Sequence, residues 1–305
     1  LTAASYLSLL DGVLRAGTAL LPHSLRQLLA QATLRHALPG GFRGRRGGPD
    51  LYYTDFGLRL LALLDPTNPL LQDIAISLPA LCARPQSVVE VFCALNCRRI
   101  VAGAGVPCPL NLDSLRTTLS GHRLPFGGYS GGGTQNLSAY ATFLAALCYD
   151  MMGERMPGQD LAARQIAALQ GPGGGFREQA QAGPEQSNAT AAATAFLHMA
   201  GALGQDAQAA AVRFLVAAQG PDGGLRAHPT APHGDLLSTF TGLVALLGLG
   251  AAHRLDWNAL VRFVRASVTP EGEFGAWPGS CEGDVEYLYY GLGCLAIVAG
   301  IAQDH

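Results

Sequence analysis

Two kinds of hydrophobic pattern alternate along this chain. The first carries an apolar stripe beside a polar face, over residues 111–120, 160–170, 206–219 and 256–268. Within the third, Ala210, Phe214, Leu215 and Ala218 recur at three- and four-residue spacing, which predicts helices with one side in water. The second pattern is apolar almost all round, over residues 50–64, 87–102, 135–149, 186–200, 235–249 and 284–301. A helix without a polar face must be enclosed by protein. Six enclosed helices, each preceded by an amphipathic one, predict an all-α toroid: a six-hairpin α6/α6 barrel, outer helices around inner ones. Residues 1–305 are read as one domain, with N-terminal helices over 1–38, including one added to the ring, and helical hairpins over 39–301.

A glycine pair followed by a large apolar residue marks each junction between outer and inner helix. The copies are Gly40-Gly41-Phe42, Gly127-Gly128-Tyr129, Gly174-Gly175-Phe176, Gly223-Gly224-Leu225 and a degraded Gly272-Glu273-Phe274-Gly275. Intervals of 47, 49 and 49 residues follow a first interval of 87, so one copy near residues 81–85 has lost its glycines. A period in the forties is that of a helical repeat protein, in which each unit needs its neighbours to bury its apolar face. The glycines are expected to end the outer helices as left-handed C′ residues. Asp50, Thr134, Ser187, Asp235 and Asp284 are expected to open the inner ones as cap or first-turn residues. If the ring closes, all six inner N-termini share one end, whose free N–H groups and dipoles would favour an anionic head group. Behind that mouth an apolar funnel is expected.

Composition removes several functions from consideration. A net charge of −2 offers no global attraction to nucleic acid or to an anionic membrane surface. All 20 cationic residues are arginine, which excludes a lysine Schiff base or a phosphate-binding lysine. The seven cysteines are an odd number and mostly lie in apolar helical runs, as buried free thiols of a reducing compartment do. No segment reads as a signal peptide or as a membrane span, and a cytoplasmic protein is expected. The glycine-rich run at 127–134 lacks the lysine and strand context of a phosphate loop.

The stretches Asp50-Leu-Tyr-Tyr-Thr-Asp-Phe-Gly-Leu-Arg, Gln219-Gly-Pro-Asp-Gly-Gly-Leu-Arg and Asp284-Val-Glu-Tyr-Leu-Tyr-Tyr-Gly-Leu-Gly resemble the β subunits of protein prenyltransferases. The nearest resemblance is to the Rab geranylgeranyltransferase type, within the prenyltransferase and squalene-cyclase repeat group, over residues 39–300. It implies an isoprenoid diphosphate of the farnesyl or geranylgeranyl class in the central funnel. It also implies transferase activity that depends on zinc, held by an Asp-x-Cys pair opening the fifth inner helix and a histidine opening the last. Here that pair reads Asp235-Leu236-Leu237 and the histidine position falls on Tyr287. The implied diphosphate-clamp positions fall on His228 or Pro229, Pro232 and Leu137. The Asp-x-Asp-Asp acid motif of the related cyclases is absent. No cofactor is therefore expected, and transfer, if it occurs, would be zinc-independent.

On these residues Asp235, Tyr287 and His233 are the expected catalytic groups, activating an acceptor at the mouth. Arg177, Arg226 and His228 are expected to hold the anionic head, since guanidinium matches phosphate bidentately. Tyr140, Phe240 and Tyr290 are expected against the isoprenoid chain, with the alanine-rich inner helix at 186–200 leaving room for it. A relocated zinc set of His228, His233, Asp235 and Cys281 is a further reading. The rival to an enzyme is a non-catalytic toroid that binds lipid or a protein partner, or that self-associates.

Overall fold

The computed structural model describes residues 3–132, 135–180 and 183–301. Helix α1 (Ala3–Leu20) precedes six pairs of helices. The outer members are α2 (His23–Arg35), α4 (Leu70–Leu81), α6 (Leu112–His122), α8 (Gln159–Ala167), α10 (Gln205–Ala217) and α12 (Trp257–Ala266). The inner members are α3 (Leu51–Leu64), α5 (Val88–Gly103), α7 (Ala139–Met151), α9 (Ser187–Met199), α11 (Leu236–Gly248) and α13 (Val285–Ile301). Each inner helix packs on the next, and α13 returns to α3, so the ring closes. The two hydrophobic patterns are thereby accounted for: α12 buries only Ala259, Leu260, Phe263 and Val264, whereas α13 is buried on every side along most of its length. No described helix is long and apolar enough to cross a membrane.

The repeat is locked at one recurrent contact. The large residue after each glycine pair turns inward, and Phe42, Tyr129, Phe176 and Leu225 are completely buried. Its backbone N–H donates to a threonine hydroxyl on the following inner helix: Phe42 to Thr54 at 3.0 Å, Tyr129 to Thr142 at 3.0 Å, Phe176 to Thr190 at 2.8 Å and Leu225 to Thr239 at 2.9 Å. One turn further on stands a small residue, Gly57, Ala145, Ala193 or Gly242, leaving room for the inserted side chain. A Cβ at Gly57 would lie 2.3 Å from the Phe42 ring, and one at Gly291 would lie 2.3 Å from Phe274. The unit that lost its glycines has also lost the hydroxyl, with Val91 at the equivalent place on α5.

The glycines do not end the outer helices, contrary to the expectation from sequence. Helix α10 stops at Ala217, and Gly223 lies beyond it in a tight turn closed by Gly220 N to Gly224 O (2.8 Å) and Gly223 N to Gly220 O (3.0 Å). The turn needs φ of +94° at Gly223, and a Cβ there would lie 2.1 Å from the Ala259 carbonyl oxygen of the next outer helix. Short antiparallel ladders therefore separate the helices of several units, such as β1 (Ala37–Leu38) with β2 (Gly41–Arg43) and β3 (Pro49–Asp50), and β4 (Tyr129–Ser130) with β5 (Leu137–Ser138). The second ladder delays α7, which is capped by Ser138 rather than opening at 135. Thr134 lies outside the described residues.

Closure between the first and last units has its own latch. Glu273, which replaces a glycine in the degraded copy, accepts from Arg35 Nη2 at 2.9 Å, and His36 Nε2 lies 3.2 Å from both its oxygens. The departure from the repeat is thus a contact between its two ends. Helix α1 lies across the ring at the end remote from the inner N-termini, touching α13, α7 and α3. The closeness of this crossing rests on Gly17, where a Cβ would fall 1.9 Å from the Ala296 carbonyl oxygen.

Gly57→Ala is expected to lower stability by about 1–3 kcal/mol, as overpacking does in a closed core. Gly12→Ala, on an exposed stretch of α1 with nothing within 4 Å of the new Cβ, should instead stabilise by about 0.5–1 kcal/mol. Denaturant titration of both variants checks the pair.

Candidate functional site

The ring encloses a cavity of about 380 Å³, reached by all six inner helices and floored by Tyr6, Leu7 and Leu10 of α1. The residues that face it follow one register. Counting from each inner-helix cap, the second residue lines the cavity in every unit: Tyr52, Val89, Tyr140, Asn188, Leu237 and Glu286. So do the fifth and sixth, from Asp55-Phe56 on α3 to Tyr289-Tyr290 on α13. On α9 those places hold Ala191 and Ala192, so the space is widest on that side. Opposite it, the rings of Phe56, Phe240, Tyr289 and Tyr290 meet edge-on or tilted at centroid separations of 5.3–6.0 Å. Tyr140 is 43% exposed although enclosed by helices, because its surface faces the hollow.

Carboxyl groups enter this apolar space. Glu286 is 7% exposed, and its Oε1 accepts from Tyr52 Oη at 2.8 Å and Tyr290 Oη at 3.1 Å. Burial raises its pKa, an effect the two phenols only partly offset. Both donors act on one oxygen, so a proton carried on Oε2 is not engaged by either phenol. Glu178 reaches over the start of α7, accepting from Ser138 Oγ and from Tyr140 N at 3.3 Å, and burial raises its pKa too. Deeper, Asp55 pairs with Arg59 and accepts from Asn96 Nδ2 at 2.5 Å. The Arg59 guanidinium sits 5.0–5.4 Å from the ring centres of Phe56, Phe92 and Tyr289. Burial opposes its charge, but the Asp55 carboxylate outweighs that and holds its pKa well above the ordinary value. Cys93 also lines the cavity, with a thiol that burial keeps protonated.

Many of the inner-helix N–H groups at the mouth are already engaged, although α9 has no side-chain cap among the described residues, which narrows the expected anion site there. Asp50, Ser87, Ser138, Asp235 and Asp284 each accept from first-turn amides. Ala139, Ser187 and Leu236 N–H donate to the carbonyls of Glu178, Ala227 and Ala276 in the next unit's loop at 3.0, 2.9 and 2.8 Å. The dipoles are met by the protein's own carboxylates.

Of the residues singled out from sequence, Tyr140, Phe240 and Tyr290 line the cavity. Asp235 caps α11, with Ser238 N at 2.7 Å and Ser238 Oγ at 2.8 Å on its two oxygens, and burial raises its pKa. Tyr287 lies at the mouth, its pKa pushed up to about 12 by burial and by Glu286, Asp284 and Asp235, so its phenol stays neutral. His233 stacks on Trp277 at 5.1 Å, and His228 bonds Thr230 at 3.0 Å. Among the described residues the Arg226 guanidinium makes only long contacts, at 3.4 Å, to the carbonyls of Pro229 and Ala217. Neither Arg177 nor Arg226 lines the cavity. Among the described residues no three His, Cys, Asp or Glu side chains are placed to share a metal ion, so His228, His233, Asp235 and Cys281 do not form such a group. Beside the mouth, a groove of about 830 Å³ is bordered by Arg43, Arg45, Tyr53, Cys281, Asp284 and Tyr287. The roles of Asp55, Arg59 and Glu178 were not expected from sequence. For Asp55 and Arg59 a signal was present, since charges in an enclosed helix must be paired or functional, whereas Glu178 lies in the loop between α8 and α9.

A closed ring of helical hairpins around a small-molecule cavity defines the class to which this fold belongs. The chain is a member of the prenyltransferase alpha-alpha toroid domain family, which it matches over residues 84–234 and 193–304. Among solved structures it is similar to Candida albicans protein geranylgeranyltransferase-I complexed with GGPP, at 15% identity and a TM-score of 0.58, covering 68% of this chain and 66% of that one. The chain thus spans just under two thirds of that subunit. It is also similar to the type II terpene cyclase MstE from Scytonema, at 16% identity and a TM-score of 0.61, covering 96% of this chain and 98% of that one. A variant of that cyclase in complex with geranylgeranyl dihydroxybenzoate, its substrate, gives 16% identity and a TM-score of 0.60 over 98% of this chain and 99% of that one. At such identities the likeness is one of fold. Among curated proteins none matches this sequence.

The carboxyl of Glu286 ties stability to pH. The folded state holds its proton longer than the unfolded chain, whose glutamates titrate near ~4.3. The group's contribution is full below that value and is lost as pH rises through the raised folded value. Glu286→Gln, whose amide oxygen still accepts from both phenols, is therefore expected to raise Tm at pH 8 and to match the wild type near pH 4. Differential scanning calorimetry across that range checks it, and a pH-independent difference would contradict it.

Proposed function

We propose that this protein binds an isoprenoid chain in the ring cavity, with the Glu286 carboxyl presented to it as a proton donor. The observation that carries this reading is the axis-facing register, which places aromatic and small residues around Glu286, the carboxyl anchored by two phenols. The cavity lies within the ~300–1,000 Å³ range of small-molecule sites and is mostly apolar. Burial moves the pKa of this carboxyl upward, in the direction that suits a general acid. Given an alkene, the Oε2 proton forms the new C–H bond, a tertiary cation results, and Tyr52 and Tyr290 stabilise the carboxylate left behind. The aromatic rings beside it favour positive charge. Cyclisation in the manner of the terpene cyclase neighbours would begin in this way. The six buried free thiols fit a reducing compartment, and we place the protein in the cytoplasm.

The second reading is prenyl transfer at the mouth, favoured by the groove beside Tyr287. There Arg43 and Arg45 offer cations to a diphosphate, and an acceptor has room between them and Asp284. In this reading the reaction proceeds without zinc. Asp235 is engaged by Ser238, Leu237 turns its side chain into the cavity, and Tyr287 stays neutral, so the donor set does not fit the ion. Asp235, Tyr287 and His233 would then orient the acceptor rather than ligate a metal, and Arg177, Arg226 and His228 would lie outside the chain-binding space.

Equilibrium dialysis with farnesol and geranylgeraniol tests the first reading. Ala191→Phe, which fills the widest side of the cavity, is expected to weaken binding at least ten-fold with Tm retained. Incubation in D₂O should place deuterium on the bound chain, and Glu286→Gln should abolish that incorporation. Binding unaffected by Ala191→Phe would overturn the cavity assignment. Incorporation undiminished in Glu286→Gln would overturn the acid.

A further inference from the structure

The ring holds a second, smaller space whose chemistry is the reverse of the first. Between α1 and the C-terminal halves of α3 and α5 lies a pocket of about 140 Å³, on the side of the molecule away from the mouth. Arg15, Arg59 and Arg99 line it, with Asp11 as the carboxylate among them. Asp11 is engaged by Arg99 Nη1 at 2.6 Å, and Arg99 Nε donates to Asn96 Oδ1 at 2.9 Å. Asp55, just behind, is shared between Arg59 and Asn96. The pocket's cations outnumber the carboxylates that pair with them, Asp11 and Asp55, and the exposed Arg15 has no ion pair or hydrogen bond among the described residues.

We propose that this pocket binds an oxyanion, a phosphate or carboxylate, which pairs with Arg15 and lies against the guanidinium groups of Arg59 and Arg99. Guanidinium forks suit such a group, and its volume suits a head group rather than a chain. Arg59 and Tyr289 line both this pocket and the central cavity, so the two spaces share one wall. The oxyanion therefore comes from one of two sources: a free small anion, or the acidic head of an amphiphile whose chain occupies the cavity. In the second case the polarity is set by the arginines, which attract the head group to that end of the ring, away from the carboxyls Glu178 and Glu286 near the mouth.

Two arms test the proposal in the intact chain, each against Arg15→Gln, a substitution at an exposed side chain. In the first, inorganic phosphate is compared with chloride at matched ionic strength; phosphate is expected to raise Tm, and Arg15→Gln to remove the rise. In the second, farnesoic acid is compared with farnesol by equilibrium dialysis; the acid is expected to bind about ten-fold more tightly, and Arg15→Gln to erase the preference. A response in the first arm assigns a free anion site, and a preference only in the second assigns an amphiphile head. Neither response, or responses undiminished in Arg15→Gln, would overturn the proposal. The phosphate arm involves no isoprenoid, so its result is independent of whether the central cavity binds one.

Discussion

Four of the six units are locked by one buried contact, the insertion of the residue after the glycine turn against the unit's own inner helix. That residue carries its backbone N–H into the core, where an unpaired donor would cost about 1–3 kcal/mol. The threonine hydroxyl supplied by the inner helix removes the cost, and the small residue one turn later provides the space. The turn itself tolerates no Cβ, because it lies on the backbone of the next outer helix. Turn, inner helix and neighbouring unit are thereby fixed together. With four inner helices so positioned and the other two packed between them, the ring and its hollow follow.

The hollow is shaped by the same register. The positions that receive the inserted residue, fourth and seventh from each cap, point away from the axis. The second, fifth and sixth then point towards it. One set of positions is constrained by the repeat: the seventh is glycine or alanine in every unit, and the fourth is threonine in all but α5 and α13. The other is unconstrained by it and carries tyrosine, glutamate, aspartate and alanine in different units. Chemistry thus accumulates where the repeat makes no demand. Helix α1 completes the enclosure by crossing the remote end on Gly17, converting an open funnel into a floored chamber with a basic pocket beside it.

The electrostatics run against a simple reading of the helix dipoles. Six N-termini at one end of a ring offer positive potential, yet caps and carbonyls of the adjoining units take up many of their donors, and the carboxyls Glu178 and Glu286 stand beside them. The cations that remain face other places: Arg59 among aromatic rings, Arg15 and Arg99 below it, Arg43 and Arg45 in the groove outside. An apolar chain in this molecule would meet an acid near the mouth and guanidinium groups at the floor.

The ring was legible in the sequence because period and polarity are local properties: an enclosed helix has no polar face, and a glycine turn recurs where the chain must reverse. Inner-helix boundaries could be read to within a few residues for the same reason, except where the 129–138 ladder displaced the start of α7. Tyr140, Phe240 and Tyr290 were legible as cavity candidates, since aromatic residues on enclosed helices have few other places to go. The roles of Asp55, Arg59, Glu178 and Glu286 were not. Whether a carboxyl caps a helix, pairs with an arginine or faces a void depends on neighbours more than forty residues away in some cases, such as Tyr52 for Glu286 and Asn96 for Asp55. Only the packing of the closed ring brings those partners together, and with them the burial that raises the pKa of Glu286.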